Sequence, residues 1–190
     1  MPHKFDPSHK EVLDNPERLK LLDPYGILSW AGVSSGHTLA DIGCGTGFFS
    51  IPASQLVRET GLVYGIDISK EMLASLQIKA KRKRIKNIKI RQSQEYQIPL
   101  EKQTLDFALL AFVLHEVSDR VKFLKNVAVY LKPDGRLILL EWKKKKAVEG
   151  PPFKDRISLR QMLYLAEKAH LKVKKRKDLN PQHYLAIFSI

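Results

Sequence analysis

At 190 residues the chain fits one domain large enough to bury a core. Its composition, 44% hydrophobic with mixed charges, reads as a soluble globular protein, and no apolar run approaches the roughly 18 residues that suggest a membrane-spanning helix. The net charge of +13 leaves nucleic acid open as a partner, and one cysteine, Cys44, excludes an intrachain disulfide, a cysteine zinc site and chemistry that needs several thiolates.

In chain order, Met1–Asp6 has no apolar core like that of a signal peptide, which points to the cytoplasm. Asn15-Pro16-Glu17-Arg18 is a helix start, with Asn as the cap, Pro at the first helical position and an acid in the first turn. Leu19 and Leu22 continue as an apolar stripe, and Asp23-Pro24-Tyr25-Gly26 ends it. Residues 1–34 therefore read as a helical appendage or lid on a core over 35–190.

From residue 38 strands and helices alternate. Strands are expected at Thr38–Ile42, Leu62–Asp67, Ile88–Arg91, Asp106–Ala111 and Arg136–Trp142. Helices are expected at about Phe48–Val57, from a Ser69 cap with Met72, Leu73, Leu76 and Ile78 pointing inward, at Arg120–Leu131, and from a Ser158 cap to His170. Lys132-Pro133-Asp134-Gly135 reads as a turn, and two final strands near Leu171–Arg176 and Tyr184–Ile190 suggest an antiparallel hairpin. The alternation predicts an α/β fold with a parallel sheet and right-handed crossovers.

The junction Leu39-Ala40-Asp41-Ile42-Gly43-Cys44-Gly45-Thr46-Gly47-Phe48-Phe49-Ser50 is a strand, a glycine turn and a helix start. In open α/β sheets such turns lie at the carboxyl ends of the strands, where ligands bind. The spacing is G-x-G-x-G, not the G-x-G-x-x-G of dinucleotide sites, and Asp41 sits where a pyrophosphate would meet a negative charge. A cationic nucleoside fits better. Cys44 then serves as a small residue in the turn. Asp67 ends the second strand about twenty residues on, where an acid accepts from both ribose hydroxyls. The alternative, a carboxylate that only caps the next helix, is weakened because Ser69 is free to take the cap.

This junction resembles motif I of the class I S-adenosylmethionine-dependent methyltransferases, and Tyr64–Ser69 resembles their motif II. The resemblance implies a Rossmann-like seven-stranded mixed sheet, order 3-2-1-4-5-7-6, with helices on both faces. It implies S-adenosyl-L-methionine as cofactor and S-adenosyl-L-homocysteine as product, bound by Asp41, Gly43, Cys44, Gly45, Gly47, Asp67, Ile68 and Met72. Ser93 and Gln94 would meet the adenine, although many relatives carry an acid where this chain has Ser93. Glu95 beside them is either part of that contact or an exposed loop acid.

Ala111-Phe112-Val113-Leu114-His115-Glu116-Val117 resembles the V-L-H-H segment of the methyltransferase type 11 branch, which includes the ubiquinone and menaquinone C-methyltransferases. Ala111 and Phe112 would face the cofactor near the sulfonium. His115 is the candidate catalytic side chain, as a base for the acceptor, with cofactor binding or packing as its other role. The quinone enzymes typically carry Arg-Asn where this chain has His115-Glu116. Glu141 either reaches the pocket or pairs with the lysines that follow it. Pro151-Pro152-Phe153 would wall the acceptor pocket, and His3 and Phe5 would help cover it. The family's marks for amino-nitrogen methylation of bases and for magnesium-dependent catechol methylation are missing, and no residue set has metal-ligand spacing, so no metal is expected.

Three basic clusters carry much of the charge. Lys79–Arg91 holds eight basic residues, Lys143–Lys146 is a tetrad, and Lys172–Lys177 holds five. They read either as a nucleic-acid surface or as a lysine-rich solvated surface. The first and third belong to opposite edges of the implied sheet, which argues against one groove. The expected partner is thus a small or medium organic methyl acceptor. An RNA or protein methyltransferase, or a cofactor-binding partner subunit without activity, are the alternatives.

Overall fold

A computed structural model describes residues 5–146 and 150–190. Seven strands form one sheet in the order β3-β2-β1-β4-β5-β7-β6. They are β1 (Thr38–Ile42), β2 (Leu62–Asp67), β3 (Ile88–Gln92), β4 (Leu105–Ala111), β5 (Leu131–Trp142), β6 (Lys172–Asp178) and β7 (His183–Ser189). The first five pair in parallel, and β7 runs antiparallel to both β5 and β6. The order is the one the resemblance implies. Among the described residues six α-helices accompany the sheet: α1 (Glu17–Leu21), α2 (Pro24–Ala31), α3 (Ser50–Val57), α4 (Lys70–Arg82), α5 (Arg120–Ala128) and α6 (Leu159–Lys168).

Strands buried on both faces make two large cores, and a small third cluster of Cys44, Leu73 and Leu76 lies between the glycine turn and α4. Leu39, Phe107, Leu109, Ile138, Leu140 and Ile187 face α2 and α3. Ala40, Ala108, Leu110, Leu137, Leu139 and Phe188 face α5 and α6. Odd and even positions of a strand thus go to different cores, the period of two that a pleated strand imposes. Trimming a fully buried leucine such as Leu109 to alanine would cost about 2–5 kcal/mol.

The caps of α4 and α6 follow the sequence, whereas α1 starts at Glu17 with Pro16 at its cap position, and Asn15 Oδ1 accepts from Glu17 N at 2.9 Å. Ser69 Oγ accepts from Met72 N at 3.3 Å. Ser158 and Gln161 form a reciprocal capping box on α6.

Several local expectations are corrected. Asp23-Pro24 does not end helical structure; it opens α2, with Pro24 in the first turn. Leu22 is buried but Leu19 is 57% exposed, because α1 is too short to lay down a stripe. Ile78 is 61% exposed, since it lies two positions past the inward Leu76 and so turns to the opposite side of α4. Residues 132–135 do not separate α5 from β5. They are an irregularity inside β5, where the β4 pairing jumps from Leu105↔Leu131 to Phe107↔Arg136.

The basic clusters lie where the topology requires. Lys79–Arg91 runs from the end of α4 through edge strand β3, and Lys172–Lys177 lies on edge strand β6 at the far side. On β6, Lys175 and Lys177 lie over the Trp30 ring at 4.2 and 4.5 Å, so part of this charge is engaged within the chain. Among the described residues, no helix is long and apolar enough to cross a membrane.

Candidate active site

A cavity of about 1040 Å³ opens at the carboxyl ends of β1, β2, β4 and β5. Its base is the turn after β1. Gly43, Gly45 and Gly47 all have left-handed backbone, with φ of 74°, 52° and 92°. A Cβ on Gly43 would strike Val113, and one on Gly47 would strike Leu76, so the turn packs against its surroundings without side chains. Ile66 O accepts from Gly43 N at 2.7 Å and Cys44 N at 3.0 Å, tying the turn to β2.

Two acids frame the turn, Asp41 buried and Asp67 half-buried. Asp67 Oδ2 accepts from Gly45 N at 2.9 Å, and its Oδ1 accepts from Ser69 N at 2.9 Å. Burial raises the Asp67 pKa despite these bonds. Asp41 accepts from Ser50 Oγ at 2.6 Å. Burial pushes its carboxyl up to about 7, with the Asp67 charge adding to the rise and the Ser50 bond and Arg18 opposing it. Burial likewise raises the Cys44 thiol, which stays protonated and inert.

Of the expected cofactor residues, Asp41, Gly43, Cys44, Gly45, Asp67, Ile68, Met72, Ser93, Gln94, Ala111 and Phe112 all line the cavity. Gly47 does not: it lies behind the wall, where its backbone lets α3 start close to Leu76. Ser93 is held beside Asp67 by a bond from its N–H to Asp67 O at 3.0 Å. Glu95 also lines the cavity and accepts from Ser118 Oγ at 3.0 Å, so it is a structured part of the wall.

His115 lies in a short 3-10 helix, Leu114–Glu116, just past β4. Its Nδ1 lies 2.8 Å from Glu141 Oε2, and its N–H donates to Glu141 Oε1 at 3.2 Å. Glu141 is fully buried at the end of β5, so it turns to His115 and not to the lysines after it. Burial pulls the His115 pKa down, but the Glu141 charge and hydrogen bond, with help from Glu116, outweigh it and leave the pKa raised. Arg120 braces the segment through Leu114 O and His115 O.

Phe112 has a left-handed backbone, φ 63°, held by its N–H to Leu140 O at 2.8 Å. That is a strained position for an aromatic residue. It turns the ring toward Trp142 and His183, at centroid distances of 5.7 and 5.1 Å.

The N-terminal segment covers the other side. A 3-10 helix, Pro7–Asp14, brings Asp14 to Thr46 Oγ1 at 2.6 Å and to Lys79 Nζ. Phe5, Val12 and Leu13 line the cavity; His3 lies outside the described residues. Gly150 and Pro151 belong to the wall, whereas Phe153 is 48% exposed and stands outside it.

Arg18, Trp142 and His183 reach the cavity although nothing in the sequence singled them out. The Arg18 guanidinium lies 4.3 Å from the Phe48 ring centroid and 5.6 Å from that of Phe112. Burial lowers its pKa to about 10.

The donor set fits S-adenosylmethionine. Asp41, buried, and Asp67, half-buried, are neighbouring carboxylates whose charges oppose one another, and both line the cavity, where a ligand with a positive charge and hydroxyl donors would suit them. The cofactor carries both, and the glycine turn leaves room for its backbone-close approach.

The family described as "Methyltransferase domain" matches residues 33–180. A SAM-dependent methyltransferase from Aquifex aeolicus is 34% identical, with a TM-score of 0.93 over 97% of this chain and 98% of that one. Curated relatives include a demethylmenaquinone methyltransferase of Geobacillus sp., 33% identical over 57% of this chain and 47% of the relative. A ubiquinone/menaquinone biosynthesis C-methyltransferase of Klebsiella pneumoniae is 37% identical over 60% of this chain and 46% of its own. The chain thus spans about half the length of these curated relatives. Sheet order, glycine turn and paired acids agree with these matches: the chain belongs to the class I S-adenosylmethionine-dependent methyltransferases, in their type 11 branch.

Proposed function

We propose that the chain moves a methyl group from S-adenosylmethionine to a small, quinone-type organic acceptor held in the cavity, and that His115 acts as base for that acceptor. The observation that carries this reading is the buried His115–Glu141 pair, which opens onto the same cavity as the glycine turn. The names of the curated relatives support the acceptor class. The same proposal carries a cytoplasmic location.

When bound, the cofactor supplies an electrophilic methyl group on a sulfonium. The protein's part is then alignment, exclusion of water and proton handling. In this reading Asp67 accepts from the ribose hydroxyls. Asp41 faces the ammonium end of the cofactor, and Ser93 and Gln94 meet the adenine. Glu141 holds the His115 ring by Nδ1, which leaves Nε2, 3.8 Å from Glu116 Oε1, to take a proton from a hydroxyl on the acceptor. The carboxylate then stabilises the imidazolium that forms.

The test is incorporation of tritiated methyl from S-adenosylmethionine into a panel of demethylated quinols, with bulk RNA and protein as parallel substrates. The proposal expects label in a quinol extract that falls at least tenfold in His115→Ala. Label confined to RNA or protein, or undiminished in His115→Ala, contradicts it.

A further inference from the structure

His183 is a buried histidine with nothing to bond to. It begins β7, is 1% exposed, and lines the cavity. Neither Nδ1 nor Nε2 finds a hydrogen-bond partner among the described residues. An unmet buried donor or acceptor costs about 1–3 kcal/mol, so such a group calls for a reason. The fold places it deliberately close to other rings. Antiparallel pairing sets His183 opposite Trp142 on β5, with ring centroids 4.2 Å apart. Phe112 completes the cluster from its strained position after β4. Gly150 also packs on Trp142: it has a left-handed backbone, and a Cβ there would lie 2.9 Å from the indole.

Cations lie around this corner: Arg156 is 5.3 Å from the Trp142 ring, Arg18 lies over Phe112 with Asp14 and Asp41 acting on it, and Lys143, next after Trp142, is paired with Asp178 at 2.8 Å. Burial, with the charges of Arg18, Arg156 and Lys143, holds the His183 pKa down at about 4, so the ring is neutral near pH 7. A neutral imidazole offers one donor and one acceptor, which matches a hydroxyl. Flat aromatic walls match a flat ring. A positive field favours a hydroxyl that carries partial negative charge.

We propose that Phe112, Trp142 and His183 form the seat of the acceptor ring, and that His183 selects the acceptor by hydrogen bonding to a ring hydroxyl. This rests on the methyltransferase reading of the cavity but assigns a subsite separate from the glycine turn and from the His115–Glu141 pair. His183 is a specificity-determining residue here, not the base.

The probes are 4-nitrophenol and nitrobenzene, which share a ring and differ by the hydroxyl. Each is titrated into the intact protein saturated with S-adenosylhomocysteine, with quenching of tryptophan fluorescence as the readout. 4-Nitrophenol also reports its own ionisation by absorbance. The expected result is tighter binding of 4-nitrophenol than of nitrobenzene, by about tenfold, with an increase in its phenolate band on binding. His183→Phe keeps the ring and should erase that preference, whereas His183→Asn, which keeps a donor and an acceptor, should retain part of it. S-adenosylhomocysteine binding should be unchanged in both variants. Equal affinity of the two probes for the wild-type protein, no binding of either, or an intact preference in a folded His183→Phe variant overturns the proposal. The wild-type comparison decides even where a variant does not fold. Loss of S-adenosylhomocysteine binding by the wild-type protein would instead count against the methyltransferase reading itself.

Discussion

Cofactor binding should expel a proton from Asp41. Its carboxyl is buried and has been raised from 3.8 to about 7, chiefly by burial. At about 1.4 kcal/mol for each tenfold change, ionising it in the free protein costs up to about 4 kcal/mol. The sign follows. Because the folded pKa lies above the unfolded value, the penalty is absent in acid and grows as pH rises from 3.8 through 7. A ligand that brings an ammonium group to this carboxylate removes the penalty and pulls the pKa back down. In the free protein at pH 7 about half of the molecules carry the proton, and binding releases it. The expected exchange is about 0.9 proton per ligand at pH 6, about 0.5 at pH 7 and about 0.1 at pH 8. Affinity should then rise about fivefold from pH 6 to pH 7 and less than twofold from pH 7 to pH 8. The assay is titration calorimetry with S-adenosylhomocysteine in buffers of different ionisation enthalpy. Asp41→Asn should bind with no such pH dependence. No proton release between pH 6 and pH 7, or the same release in Asp41→Asn, would refute the reasoning.

Other predictions concern the rest of the cavity. Glu141→Gln should lower kcat by about 10²–10⁴ if His115 works as a base, with little change in KM for the cofactor. It should also move the rising limb of the pH–rate profile to lower pH, because the pKa of His115 is raised by the Glu141 charge and hydrogen bond. An unmoved limb would remove Glu141 from that role. Gly47→Ala puts a side chain at φ 92° and against Leu76, so we expect a loss of about 1–3 kcal/mol in urea denaturation. Unchanged stability would mean that α3 shifts without cost.

The sequence was most legible where structure is local. Glycines at alternate positions, an acid before them and a serine cap after Asp67 decide the β1 turn and the start of α4 within a few residues of chain. Strands β1 and β2 accordingly begin and end where the pattern places them. The acceptor side was less legible because its contacts join distant segments. His183 meets Trp142 only through the β5–β7 register, and Arg18 reaches Phe48 only because α1 comes to the mouth of the cavity. Neither relation leaves a periodic trace. Glu141 was readable as two things, a pocket acid or a partner for lysines, and only the 26-residue span to His115 settles which. The β5 irregularity was hidden because Lys132-Pro133-Asp134-Gly135 has the composition of a connecting turn, while the pairing on either side of it belongs to one strand.

The site assignment rests above all on Asp67, which ties Gly45 to the start of α4 and faces the cavity. The direct measurement is equilibrium dialysis of radiolabelled S-adenosylmethionine against the wild-type protein and Asp67→Ala. We expect saturation at one site per chain in the wild type and loss of most binding in the variant, with the variant still folded by circular dichroism. Wild-type affinity in a folded Asp67→Ala variant would contradict the account.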